Sequence, residues 1–320
     1  MTKAIFCFGL CYNLYMKKIY FPLITFFVTI LLILFVFYNR YNSDYKEQRV
    51  NEAISKNVDI LYENLSYEKM YAQSLAIMLS KDNTIIKSLK ENNQKLALKR
   101  LKEFLQELKI SANIDYIDIQ IHTKDLKAFA RSWDSRNYFG ESLKSFRKGL
   151  VKVAKTKKSF VSIELGKRLN IKAISPIFEN TNYIGSIEVI SGFKGLKKHL
   201  KKFDLAILGL LEKKYLKIAI DLKNNQKIDN FVVIEKQFNK ELFKILQNNT
   251  QIFKKDRFFY NINNKIITIL PMKNIGLDDI GLIVLMMPSL TNLQSFPSRD
   301  YEKENREYQF NKSSRKVIIK

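Results

Sequence analysis

The 320-residue chain is poor in the residues that build most chemical sites: ten glycines, five prolines, two cysteines, two histidines and one tryptophan. Both cysteines, Cys7 and Cys11, sit close to the N-terminus, so the rest of the chain has neither a disulfide scaffold nor a cysteine metal site. His122 and His199 stand without metal-ligand spacing around them and read as structural residues. So few glycines leave little for a phosphate-cradling loop, and no nucleophile elbow occurs. These absences argue against an enzyme and call for no metal and no cofactor.

Acidic residues are the minority, 31 against 55 basic ones, for a formal charge of +24. Such an excess invites a nucleic-acid reading. However, 44 of the basic residues are Lys and 11 are Arg, and bidentate recognition of bases and phosphates favours Arg. The lysines are also spread along the whole chain. The composition therefore points to no nucleic acid, while attraction to an anionic membrane surface or to anionic small molecules stays open.

What the chain does have is one long apolar run. Ile19 to Tyr38 (IYFPLITFFVTILLILFVFY) contains no charged residue, and twenty helical residues at ~1.5 Å each span ~30 Å, the thickness of a bilayer core. The exit at Phe37-Tyr38-Asn39-Arg40 lacks the small residues of a signal-peptide cleavage site, so an uncleaved anchor is expected. Lys17 and Lys18 before the run favour a cytoplasmic N-terminus. Met16 directly before them would make a normal start. Ile280–Leu290 is too short to cross a membrane and reads as a final buried strand.

After the anchor, apolar residues recur at Val50, Ile54, Val58, Leu61, Leu65, Ala72, Leu75 and Leu79, with one lapse at Glu68 and no Gly or Pro between Arg40 and Ser80. That period predicts a continuous amphipathic helix of ~60 Å, which needs a partner along its length: a packed domain, a second copy, or both. A second helical stretch covers 84–110. The period then switches to strand alternation at 116–121, with a hairpin mate at 127–133, a short helix near 143–154, and strands at 160–165, 171–178 and 183–189. The pattern repeats less clearly with a helix near 196–202, apolar runs at 205–211, 216–221 and 231–235, a helix near 240–247, and runs at 256–262, 265–272 and 280–287. The fold class is therefore α+β, with two antiparallel-sheet modules, the second smaller. The organisation expected is a cytoplasmic N-terminus (1–18), a transmembrane anchor (19–38), a stalk helix (40–80), modules at 81–191 and 192–290, and a charged, disordered or solvated-helix tail (291–320).

Candidate binding residues cluster in Arg131–Arg147 (RSWDSRNYFGESLKSFR). The only tryptophan, Trp133, lies there with Arg131, Asp134, Arg136, Tyr138 and Arg147. Arginine can grip a carboxylate through two parallel hydrogen bonds, and Trp and Tyr can wall a pocket. A Trp capping the core beside a solvated charged loop fits the same residues equally well.

The order of a membrane helix, ARSWD…YFGESLKSFRKGL, VSIELGKRLNIKAISPIF and YIGSIEVISGF resembles the double-Cache sensor domains, tandem PAS-like extracytoplasmic domains of bacterial chemoreceptors and two-component sensor kinases. It is most similar to the sensor-kinase branch, over Arg40–Pro288. The resemblance implies that the membrane-distal module holds the ligand, which maps onto Arg131, Trp133, Asp134, Tyr138, Arg147, Glu164, Arg168 and Glu188. The R-x-W spacing of Arg131 and Trp133 is similar to the carboxylate-binding corner of amino-acid-sensing relatives. It implies a bacterial inner-membrane protein with a periplasmic main domain, binding a small anionic ligand (amino acid, carboxylate or similar) for signal transduction or chemotaxis; the one apolar run makes it single-pass, and the long helix points to a homodimer. In place of a glycine that relatives often carry, Lys167-Arg168 stands in a shortened turn after Gly166. The second membrane span and output module of the family have no counterpart here, which implies a separate signalling partner or a truncated receptor. A structural or assembly protein of the cell envelope, acting through the long helix, is the alternative reading.

Overall fold

A computed structural model of the chain describes residues 2–134, 140–254, 259–276 and 278–288, with side chains from residue 25 onward. The expected tail at 291–320 and Tyr138 lie outside the described residues. Two compact units make up the chain, residues 1–56 and 57–320. One uninterrupted helix, α1 (Thr2–Leu79), supplies all the described structure of the first unit. Its side chains from Phe26 to Tyr38 are exposed, as befits a segment long and apolar enough to cross a membrane.

In the second unit, α1 buries Val58, Leu61, Leu65, Ala72, Leu75 and Leu79, the stripe that the period predicts. Glu68 falls on that same face and is itself buried. Helical periodicity across 84–110 does not persist as one helix. It divides into α2 (Asn83–Lys90) and α3 (Gln94–Ala112), because Asn92 turns left-handed at φ +50° and the side chains of Asp82 and Asn93 cap the two starts.

The first module continues with β1 (Ile117–Thr123), β2 (Ala128–Arg131), α4 (Lys148–Thr156), β3 (Phe160–Leu165), β4 (Leu169–Glu179) and β5 (Asn182–Ser191). The second comprises α5 (Lys194–Leu200), β6 (Ala206–Glu212), β7 (Lys227–Ile228), β8 (Phe231–Val233), α6 (Lys240–Asn248), β9 (Phe259–Ile262), β10 (Lys265–Lys273) and β11 (Asp279–Pro288). Among the described residues there are two antiparallel sheets, ordered β2-β1-β5-β4-β3 and β7-β8-β6-β11-β10-β9. Both place the first strand of the module beside its last and follow it with the preceding two in reverse order, and the second sheet is the wider by a strand, with β8 rather than β7 beside β6. The run at 216–221 is not a strand: it forms the 3₁₀ turns Lys213–Lys217 and Ile220–Leu222.

Strand alternation sorts the first sheet into two faces. Ala173, Ser175, Ile119 and Ile121 share one face, where Ser175 hydrogen-bonds Ser80 at the end of α1 (3.1 Å). The opposite face meets α4 through Ile174, which packs with Leu150 and Val153. Cross-strand register brings Gln120 opposite both Arg131 and Glu188, and Lys172 opposite Ser162. The α4 face is therefore rich in charge although α4 covers it.

Candidate functional site

Five ionisable side chains from separate elements meet under α4. Arg147, at the start of the helix, is buried and bonds Glu188 of β5 through Nη2, while its Nε lies 3.6 Å from Glu164 of β3. Glu164 also accepts a hydrogen bond from Gly149 N (2.9 Å), capping the first turn of α4, where a carboxylate is electrostatically favoured. His122 of β1 bonds Ser186 (3.1 Å) and lies 3.5 Å from Glu188. Burial alone would raise the Glu188 carboxyl, but Arg147 beside it outweighs that and holds it well below the usual carboxylate range. Burial pushes His122 down, against the pull of Glu188, so the imidazole is neutral near pH 7.

Lys172 of β4 is the fifth group and differs from the rest. It is 4 % exposed, yet among the described residues no carboxylate lies within ion-pair distance of its Nζ. Burial, followed by the Arg147 charge, lowers its ammonium to about 8. Lys172 lines a cavity of about 230 Å³, walled among others by Gln120, Arg131, Trp133, Asp134, Gly166 and Arg168. The Gln120 amide nitrogen on that wall is buried and, among the described residues, has no hydrogen-bond acceptor. Ligand pockets for drug-sized molecules run to roughly 300–1,000 Å³, so this space suits a smaller molecule. Among the described residues the wall holds no pairing of nucleophile and base. Among the described residues no group of three His, Cys, Asp or Glu could hold a metal ion.

The rim is built by charge pairs. Arg131 bonds Glu141 (2.8 Å), which also lies 3.4 Å from Lys167, and the Arg131 guanidinium stands 5.9 Å from the centre of the Trp133 ring. Arg168 hydrogen-bonds Asp118 (3.3 Å). The shortened turn closes on itself, Gly166 N donating to Arg168 O (3.0 Å), and forms part of the wall.

Residues 47–215, just over half of the chain, match the family model described as the double sensory domain of two-component sensor kinases. The chain belongs to this double-Cache family. The two sheets just described are its tandem modules, and the cavity lies in the first. Among solved structures, the V. cholerae histidine kinase DctB sensor domain aligns with 76% of this chain and 98% of its own, at 9% identity and a TM-score of 0.45. The ligand-binding domain of the Campylobacter jejuni chemoreceptor Tlp3 in complex with L-valine aligns with 76% of this chain and 94% of its own, at 16% identity and a TM-score of 0.40. The ligand-binding domain of the Pseudomonas aeruginosa amino acid chemoreceptor PctC in complex with GABA covers 73% of this chain and 94% of its own, at 7% identity and a TM-score of 0.40. No curated protein matches the sequence.

Of the eight residues that the resemblance implies, the double-Cache fold brings Arg131, Trp133, Asp134, Arg147 and Arg168 to the cavity wall. Glu164 and Glu188 stand behind the wall instead, engaged by Arg147. Tyr138 is outside the described residues. Sequence reasoning missed Gln120, Lys172 and the two second-module residues on the wall, Ile220 and Asp221. Lys172 left a signal: strand alternation in Asn170-Ile171-Lys172-Ala173-Ile174 puts a lysine on the same face as a core isoleucine.

Proposed function

We propose that this double-Cache domain is the periplasmic sensory part of a single-pass inner-membrane protein, N-terminus in the cytoplasm, and that it binds a small anion (an amino acid, carboxylate or similar) in the first-module cavity for signal transduction or chemotaxis. Its role is binding rather than catalysis, and no nucleic acid is involved. One observation carries the reading: Lys172 is a buried ammonium on the cavity wall with no carboxylate at ion-pair distance among the described residues. A buried cation needs a counter-charge, and a ligand anion supplies it. The unaccepted Gln120 amide beside it adds a donor for the same anion. The apolar run at 19–38 supports the anchor. The exposed stripe Tyr67, Met70, Ile77 and Met78 on α1 supports a homodimer along that helix.

The test is a thermal-shift screen of the full chain in detergent against amino acids, organic acids and amines. A ligand at a hundred times its Kd adds ~2.7 kcal/mol to stability. The reading expects hits among carboxylates, abolished in a folded Lys172→Met variant. If the variant is stabilised as strongly as the parent, the site assignment is wrong.

A further inference from the structure

The cavity wall is shared between the modules. Ile220 and Asp221, from the 3₁₀ turn Ile220–Leu222 of the second module, line it together with Lys172 and Gln120 of the first. That turn is seated on the first module by its backbone: Asp221 N donates to Lys167 O at 3.1 Å. A second contact lies nearby, where Ile275 in the β10–β11 turn comes within 3.3 Å of the place a side chain on Gly149 would occupy, at the capped start of α4.

The chemistry of Asp221 is incomplete as it stands. Its Oδ2 lies 3.9 Å from Arg168 Nε, an ion pair too long for a hydrogen bond, while Arg168 Nη2 hydrogen-bonds Asp118 at 3.3 Å. A carboxylate accepts several donors, so Asp221 has capacity facing the cavity. Beside it Ile220 is 43 % exposed, an apolar side chain at the cavity wall.

We infer that the ligand touches both modules, its anionic end at Lys172 and Gln120 of the first and a hydrogen-bond donor on the same molecule at Asp221 of the second. This rests on the reading of the cavity as an anion site and narrows it. The ligand class is a small acid that also carries an amine or hydroxyl, and the second module registers occupancy by direct contact. An acid without a donor would forgo that bond and would bind less well.

The experiment compares L-amino acids, the matching 2-hydroxy acids and the matching unsubstituted acids on the full chain and on Asp221→Asn. Asp221 is half-exposed and its ion pair is long, so the variant folds. The amino and hydroxy acids should bind the parent about tenfold or more tighter than the unsubstituted acids, and the variant should lose that margin while holding the unsubstituted acids at least as tightly as the parent does. Hydrogen exchange in the presence of the tightest acid should slow in residues 213–222. If acids bind but Asp221→Asn weakens all three sets alike or none, or if protection stays within the first module, the two-module site is refuted while the anion site stands. If no acid in any set binds the parent, the anion site itself fails and this inference with it.

Discussion

The Nζ of Lys172 occupies the space that a side chain on Gly166 would fill: a Cβ at position 166 would stand 2.5 Å from it. The glycine of the β3–β4 turn and the lysine of β4 therefore fix each other. The backbone at Gly166 needs no glycine conformation. What it needs is the room.

From this pair comes the first prediction. In Gly166→Ala the ammonium, as the free end of a flexible side chain, shifts off the wall. Anion affinity should fall about tenfold, a loss of ~1.4 kcal/mol, with the unliganded melting temperature nearly unchanged. Titration calorimetry beside a thermal melt checks both, and a variant with parental affinity would show that Lys172 does not hold the anion.

The second concerns pH. An anionic ligand binds best to the protonated form of Lys172, and burial lowers that group to about 8. Affinity should hold below pH 8 and decline as pH rises through it, because the neutral amine offers no charge. In Lys172→Met, which lacks the ammonium, no carboxylate should bind at any pH in this range. A parental profile without that decline up to pH 9.5 would contradict the assignment.

Arg147 is a third case, and a matter of stability. It neutralises Glu188 and lies beside Glu164, both buried. Arg147→Met should cost ~3–5 kcal/mol, the usual cost of leaving buried charge uncompensated. The sign with pH also follows. In the parent, Glu188 is depressed, so its contribution is present above the ordinary carboxylate range and lost as pH falls through its folded value. Without Arg147, burial raises the carboxyl against only the weaker pulls of His122 and Lys172, so the variant's deficit should shrink on acidification. Denaturant melts at pH 7 and pH 4.5 measure it. A deficit that grows at acid pH would rule out this network.

Glu68 gives the fourth. It sits mid-helix on the buried face of α1, packed with Tyr116 against Gly195, and among the described residues its Oε2 has no hydrogen-bond partner. Burial raises its carboxyl, so charging it as pH rises through the folded value weakens the fold. Glu68→Gln should raise the melting temperature at pH 7.5 by a few degrees and have little effect near pH 4. A lower melting temperature at pH 7.5 would mean that the charge is satisfied.

The sequence by itself determined the features that depend on local pattern. The uncharged run at 19–38 is legible because a bilayer asks only for length and apolarity. The stripe from Val58 to Leu79 and the alternating strands from Ile117 onward are legible because helices and strands impose their own periods. Tertiary structure decided what those segments do together. Lys172, Gln120 and Glu188 lie far apart in the chain and become neighbours only through the β1–β5–β4 register. Glu164 and Glu188 look like ligand residues in sequence, and only the position of Arg147 at the start of α4 turns them into its counter-charges. Ile220 and Asp221 sit in a run that reads as apolar sequence, and their place on the cavity wall depends on how a turn of one module seats on the other. Charge and burial are pairwise properties of folded space, and a chain read residue by residue does not contain the distances that set them.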